Sequence, residues 1–299
     1  MKIVFHFDGS DALRERAAKL GVELCPESDE AAFARLLPEV EVLWHVLKPV
    51  TAQVIERAPK LRLIQKIGSG VNTIDLEAAK RRGIAVCNLP GTNSRAVAEM
   101  TLLLMLACLR RLPQLDRSVR SGAWPDAWRL QDRFAELGGR TVGLLGYGRV
   151  PRLLVPMLQA LGARVQYWSR SAAGASFDAV VGTSDIVSLH LPLSPETRDI
   201  LDPRRMKRGA ILVNTARGGL VNRDLLVAAL TTGHLAAAGL DVFDEEPVST
   251  ADPLLALENV VCAPHVAWLT QETLERSIAL ALDNAARLAD GRPLIHRIV

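Results

Sequence analysis

Short apolar runs and longer segments with helical spacing take turns along the chain from its first residues. Lys2 to Phe7, Val42 to Val46, Leu61 to Ile67 and Ile84 to Cys87 are compact apolar stretches, and they predict β-strands. Between them, Ala12 to Leu20, Thr51 to Ala58 and Asp75 to Arg82 predict helices. Strands that alternate with helices imply a parallel sheet covered on both faces. A second series begins at Thr141 to Leu145 and continues through Arg164 to Trp168, Ile186 to His190, Ala210 to Asn214, Ala236 to Leu240 and Val260 to Cys262. Six strands with helical crossovers predict another doubly wound sheet.

A long helical pattern runs from Asn93 to about Arg120 between the two series, and Pro113 predicts a bend in it, because the ring removes a backbone hydrogen bond. A last helix, Gln271 to about Asp290, is followed by the stop signal Gly291-Arg292-Pro293 and is expected to pack on the first domain. The expected architecture is α/β with two doubly wound parallel-sheet domains. Residues 1–94 and 272–299 form one discontinuous domain, and residues 95–271 form a second inserted into it.

Composition narrows the function. The 299 residues are 49% hydrophobic and 23% charged, the balance of a globular protein. A net charge of +3 arises from 36 basic and 33 acidic residues spread along the chain, without the basic face that nucleic acid or a membrane surface requires. Neither is expected as a partner. Cys25, Cys87, Cys108 and Cys262 are far apart in apolar stretches, with no metal-ligand spacing, so they read as reduced core thiols and no metal is expected. The N-terminus reaches Asp8 without a secretory h-region, and the longest apolar run, Met100 to Leu109, is too short to span a bilayer. A cytoplasmic location follows as the expectation.

The segment Gly146-Tyr147-Gly148-Arg149-Val150-Pro151 joins a predicted buried strand to a predicted helix. Glycines there let backbone approach a pyrophosphate, and a helix N-terminus offers free N–H groups and a positive dipole. The third glycine position of the usual dinucleotide pattern holds Pro151, and Pro156 sits in the same helix, where it predicts a kink. After the next strand, the acidic residue that would bind a ribose hydroxyl is replaced by Ser169-Arg170-Ser171. A hydroxyl and a guanidinium accommodate a 2′-phosphate where a carboxylate would repel it, so NADP is expected in preference to NAD. The alternative for Arg170 is a solvated surface charge.

Three later segments bring reactive groups to predicted strand ends: Leu212-Val213-Asn214-Thr215-Ala216-Arg217-Gly218-Gly219, then Gly239-Leu240-Asp241-Val242-Phe243-Asp244-Glu245-Glu246-Pro247, then Cys262-Ala263-Pro264-His265-Val266-Ala267-Trp268. Taken singly, Arg217, Glu246 and His265 each have an ordinary structural explanation. Together they match a chemistry. A planar guanidinium holds a carboxylate through two parallel hydrogen bonds, an imidazole exchanges a proton near neutral pH, and a neighbouring carboxylate orients it.

In this order the segments resemble the D-isomer-specific 2-hydroxyacid dehydrogenases, a family that includes glyoxylate, hydroxypyruvate and phosphoglycerate dehydrogenases, over nearly the whole chain. The resemblance includes Gly68-Ser69-Gly70-Val71-Asn72-Thr73-Ile74-Asp75, similar to the family's substrate-side loop, and Val97-Ala98-Glu99-Met100-Thr101, similar to the start of its interdomain helix. It implies that Arg217 clamps the substrate carboxylate, Glu246 supports the histidine, His265 is the acid/base, and backbone near Ser69 and Gly70 binds the carboxylate from the other domain. It also implies that His190, Thr215 and Ala216 border the cofactor and that Asp241 helps hold the nicotinamide amide. The expected fold is a Rossmann cofactor domain inserted into a flavodoxin-like substrate domain, with a cleft that closes on the substrate and a homodimer packed through the cofactor domains. Reduction of a small 2-oxo acid such as glyoxylate or hydroxypyruvate is the leading function. A non-catalytic nucleotide-sensing protein on the same scaffold is the alternative, followed by a formate- or phosphite-oxidising enzyme. Lys48 is either a loop charge or a group that reaches the substrate.

Overall fold

The structure is a computed structural model that describes residues 1–124 and 128–299. It divides into two compact units, Met1–Asn93 with Thr270–Val299, and Ser94–Leu269.

The first unit holds five parallel strands, β1 (Ile3–His6), β2 (Val22–Cys25), β3 (Val42–His45), β4 (Leu63–Lys66) and β5 (Ala85–Cys87), in the order β2-β1-β3-β4-β5. The inner strands are buried at every position, as a sheet covered on both faces requires. Helices α1 (Asp11–Lys19), α2 (Glu30–Leu36), α3 (Ala52–Glu56) and α4 (Leu76–Arg81) start at Ser10, Asp29, Thr51 and Asp75, whose side chains each accept a first-turn N–H. Strand β2 and helix α2 lie outside the elements the pattern predicts. β2 is a four-residue edge strand with an exposed Glu23, too short and too mixed to stand out.

The long C-terminal helix (Gln271–Ala289) belongs to this unit, and a buried polar network fixes it there. Asn284 Nδ2 donates to Gln65 Oε1 at 2.8 Å and to the Ile295 carbonyl at 3.1 Å, while its Oδ1 accepts the Ile295 N–H at 2.8 Å. The last residues then run antiparallel along β5, with Ile298 N–H donating to the Val86 carbonyl at 2.7 Å, so that this sheet edge is covered.

The second unit holds helices α5 (Ser94–Arg110) and α6 (Leu112–Arg120), then strands β6 (Thr141–Leu145), β7 (Arg164–Trp168), β8 (Ile186–Leu189), β9 (Ala210–Asn214), β10 (Leu235–Leu240) and β11 (Val260–Cys262). Their order is β11-β10-β9-β8-β6-β7, all parallel, which is the order of the first sheet with one strand added. Helices α7 (Arg149–Ala160), α8 (Phe177–Thr183), α9 (Arg223–Thr231) and α10 (Pro253–Ala256) connect the strands. Burial follows the order: β8 and β9 are wholly buried, whereas the edge strands β7 and β11 are open along much of their length.

Two expectations are corrected here. The pattern from Asn93 to Arg120 is two helices rather than one bent helix: Arg111 takes a left-handed conformation (φ 51°) that ends α5, and Pro113 lies in the first turn of α6, where its missing N–H costs nothing. Cys25, Cys87 and Cys108 are buried, but Cys262 is exposed, because it ends the edge strand β11. Among the described residues no helix is long and apolar enough to cross a membrane.

Candidate active site

The second sheet brings the three reactive segments to one level. Strands β9, β10 and β11 are neighbours, and their last residues, Asn214, Leu240 and Cys262, pair in register. The loops carrying Arg217, Glu246 and His265 therefore all leave the carboxyl edge of the sheet from adjacent strands, the edge where open parallel sheets bind ligands.

His265 Nδ1 stands 2.5 Å from Glu246 Oε2, with the two side chains 17% and 30% exposed. The other carboxylate oxygen, Oε1, accepts the Phe243 N–H at 2.9 Å. Burial raises the Glu246 pKa, but the hydrogen bond and charge of His265, the Phe243 N–H and the nearby Arg217 outweigh it and leave the carboxyl below its usual range. Glu246 is thus an anion committed to His265. The histidine itself sits in the left-handed region, at φ 56°, which is uncommon for a residue other than glycine.

Arg217 follows β9. Its guanidinium donates to the Ala216 carbonyl at 2.6 Å, and burial lowers its pKa while Glu246 opposes that shift. Asn214 shapes the loop: its Nδ2 donates to the Arg217 carbonyl at 2.8 Å and its Oδ1 accepts the Ala216 N–H at 3.0 Å. Gly218 is required by close approach, since a Cβ there would stand 2.0 Å from the Phe243 carbonyl carbon. Asn214 and Trp268, whose indole N–H donates to the His265 carbonyl at 3.1 Å, are site residues that sequence reasoning missed. An asparagine at a predicted strand end, two and three residues before the groups it bonds, was the available signal.

The glycine loop lies at the reversal of strand order, where β6 pairs with β7 on one side and β8 on the other. Gly146 has φ +108°, and a Cβ there would be 2.5 Å from the carbonyl oxygen of His190, which follows β8. The N-terminus of α7 has no side-chain cap, Gly148 faces open space, and Arg149 and Val150 form the first turn. Backbone donors beside a residue without a side chain fit a dinucleotide's pyrophosphate. Tyr147 stacks on Tyr167 with ring centroids 3.7 Å apart, and the Arg152 guanidinium lies 5.1 Å from the Tyr147 ring centre. Ser169 Oγ accepts the Ser171 N–H at 3.2 Å, and Arg170 is exposed beside it.

His190 Nε2 lies 3.0 Å from Ser188 Oγ, and desolvation lowers the pKa of the ring to about 3. Thr215 Oγ1 is 2.9 Å from Thr101 Oγ1, which ties the start of the Arg217 loop to α5. Asp241 is 1% exposed, and its carboxylate accepts the N–H groups of Val266 and Ala267 at 2.8 and 3.0 Å. Ser69 and Gly70 belong to the first unit, in the loop after β4, with the Ser69 carbonyl accepting from Asn88 Nδ2 at 2.8 Å. Lys48 is held within that unit, donating to the Glu27 carbonyl at 2.6 Å and to Glu30 at 3.1 Å. A cavity of about 430 Å³ lies beside the reactive cluster, lined by Asn214, Gly218, Arg223, Phe243, Asp244 and Asp252, and none of Arg217, Glu246 or His265 lines it.

Residues 102–267 match the family model described as D-isomer specific 2-hydroxyacid dehydrogenase, NAD binding domain. The chain is 40% identical to a glyoxylate reductase of Aeropyrum pernix over 275 residues, covering 85% of this chain and 81% of that one. It is 38% identical over 298 residues to a D-3-phosphoglycerate dehydrogenase of Archaeoglobus fulgidus, covering 95% of this chain but 56% of that longer one. Among solved structures, the TT0316 protein of Thermus thermophilus superposes with a TM-score of 0.88 at 35% identity, covering 100% of both chains.

Proposed function

Because the chain belongs to the D-isomer specific 2-hydroxyacid dehydrogenases, a family of NAD(P)-dependent oxidoreductases, we propose that it reduces a small 2-oxo acid, foremost glyoxylate or hydroxypyruvate, to the D-2-hydroxy acid. The observation that carries this reading is the 2.5 Å contact between Glu246 and His265 Nδ1 at the sheet edge that also bears Arg217.

Arg217 binds the substrate carboxylate through its guanidinium fork. Its partial burial strengthens that charged pair relative to the same pair in water. The nicotinamide, when bound, supplies the hydride. With Nδ1 of His265 engaged by Glu246, the remaining nitrogen, Nε2, delivers a proton to the oxygen on which negative charge develops, and takes it back in the reverse reaction. Ser69 and Gly70 are assigned to recognition of the same carboxylate.

For the cofactor, Gly146, Tyr147, Gly148, Arg149 and Val150 are assigned to the pyrophosphate region, with His190, Thr215, Ala216 and Asp241 bordering the nicotinamide side. NADP is preferred over NAD in this reading, since Ser169 and Arg170 stand where a carboxylate would exclude a 2′-phosphate. A homodimer belongs to the same proposal, supported by the exposed apolar surface of Leu112 (51%), Val119 (55%), Trp124 (62%) and Trp128 (74%) in the second unit. A cytoplasmic setting accords with the three buried, unpaired cysteines.

The test is oxidation of NADPH and NADH followed by absorbance with glyoxylate, hydroxypyruvate, pyruvate and phenylpyruvate. Turnover is expected with NADPH, and Arg217→Ala should lower kcat/KM by at least about 1,000-fold, because a buried charged clamp is lost from the transition state. Turnover with NADH alone would overturn the cofactor preference. Absence of turnover with every acid would overturn the substrate assignment.

A further inference from the structure

We infer that Asp241 is a positioning residue for the reaction: its carbonyl and carboxylate together hold the consecutive N–H groups of His265, Val266 and Ala267, and thereby aim the His265 ring. The inference rests on the reading of His265 as the acid/base, and it gives Asp241 a role other than contact with the nicotinamide amide.

The β10–β11 ladder continues past the end of β11. Ala263 N–H donates to the Leu240 carbonyl at 2.8 Å, and His265 N–H donates to the Asp241 carbonyl at 2.7 Å. At that point the side chain of Asp241 takes over. Its Oδ1 accepts the Val266 N–H at 2.8 Å and its Oδ2 accepts the Ala267 N–H at 3.0 Å. Asp241 is itself fixed from the other side, where its N–H donates to the Asn214 carbonyl at 3.0 Å. Three successive donors of one loop are thus held by a single residue that is 1% exposed.

That grip is needed because the backbone it holds is unfavourable. His265 has φ 56°, a conformation that is costly for a residue with a Cβ and persists only where its surroundings over-determine it. Trp268 adds the last constraint, donating its indole N–H to the His265 carbonyl at 3.1 Å. Both the N–H and the C=O of His265 are therefore fixed, and so is the direction of its Cα–Cβ bond. Glu246 can hold Nδ1 only if the backbone delivers the ring to within reach. Released from Asp241, the loop would relax toward a common φ, swing the Cβ and separate the ring from both Glu246 and the substrate oxygen. Displacements of about 1 Å at a reacting group cost about 100-fold in rate.

The test is Asp241→Asn in the 299-residue chain. The amide keeps the shape but turns one acceptor into a donor facing another N–H. We expect kcat with glyoxylate and NADPH to fall about 100-fold, with KM for the acid within about twofold of the parent and Kd for NADPH, read by tryptophan fluorescence, rising far less than kcat falls. Amide hydrogen exchange should accelerate across residues 265–267. Trp268→Phe, which removes only the indole donor, should lower kcat about fivefold, and it serves if Asp241→Asn does not fold. An unchanged kcat, or NADPH binding weakened in step with kcat, overturns the inference. Hydrogen exchange needs no turnover, so an inactive parent would defeat the reductase reading while unaccelerated exchange at residues 265–267 would defeat this one.

Discussion

Histidines stand at the carboxyl ends of strands in both sheets, and the two groups have opposite surroundings. In the first unit, His6 ends β1 and His45 ends β3, and they pair in register with each other and with Cys25 and Lys66, so four neighbouring strands finish in one row. All four residues are at most 5% exposed. His6 stacks on Phe33 with centroids 3.7 Å apart, and neither His6 Nε2 nor His45 Nδ1 has a hydrogen-bond partner. His45 Nε2 lies 2.8 Å from Thr73 Oγ1 and 3.4 Å from the Lys66 ammonium, whose charge disfavours the imidazolium form. Desolvation, with Lys48, lowers the pKa of His6 to about 4 against the opposing pull of Asp8 and Glu30, while desolvation, Lys66 and His6 hold His45 well below the usual value. In the second unit, His265 lies beyond its strand, on a loop, with an anion 2.5 Å from its ring. The same side chain at the same kind of sheet edge is buried with a lowered pKa at His6 and His45, and is proposed to carry a proton at His265. What separates them is burial, which dominates at His6 and His45, against the carboxylate that stands 2.5 Å from the His265 ring.

Exchanging the two kinds of histidine gives the largest expected effect. His265→Gln should lower kcat by about 1,000-fold, within the range general acid–base catalysis contributes, while His6→Gln should leave kcat within about threefold. Steady-state rates on both variants check this, and a comparable loss in both would erase the distinction. Next comes acid stability. His6 has a folded pKa of about 4 against an unfolded value near 6.5, so its contribution is fully present above about pH 6.5 and is lost as pH falls toward 4, amounting to about 3 kcal/mol. His6→Phe keeps the stack on Phe33 and cannot take up a proton. Thermal unfolding between pH 7 and 4 should therefore fall less steeply in His6→Phe, with the remaining slope shared by His45 and His190, whose pKa values are also lowered by burial. An equal slope in the parent and the variant would refute it. The smallest effect is Glu246→Gln, which removes the anion but retains a polar partner; kcat should fall about 30-fold with KM for the acid nearly unchanged.

Much of this was legible beforehand because parallel strands buried on both faces are written as uninterrupted apolar runs. Ten of the eleven strands among the described residues lie within the predicted runs, although the edge strand β7 is mixed in sequence and partly open, and β2 escapes because it is short, at an edge and carries Glu23 outward. The helix break at Arg111 was misplaced onto Pro113, since a left-handed backbone at an arginine leaves no mark in composition. Arg217, Glu246 and His265 were recognisable as types of group in a familiar order, yet Asn214 and Trp268 were not, because their contribution is a hydrogen bond to the backbone of a neighbour.

By itself, then, the sequence determined the alternation of strands and helices, the glycine loop at a strand-to-helix turn and the identities of the reactive side chains, all of which depend on local spacing and residue chemistry. Tertiary structure alone decided that the ends of β9, β10 and β11 share one level, that Glu246 meets Nδ1 of His265, and that Asp241 grips three consecutive N–H groups. It also decided that His6 and His45 are buried, with desolvation as the largest influence on both rings. Strand register and burial depend on partners distant in the chain, so the charge state of a histidine is settled only once those partners are in place.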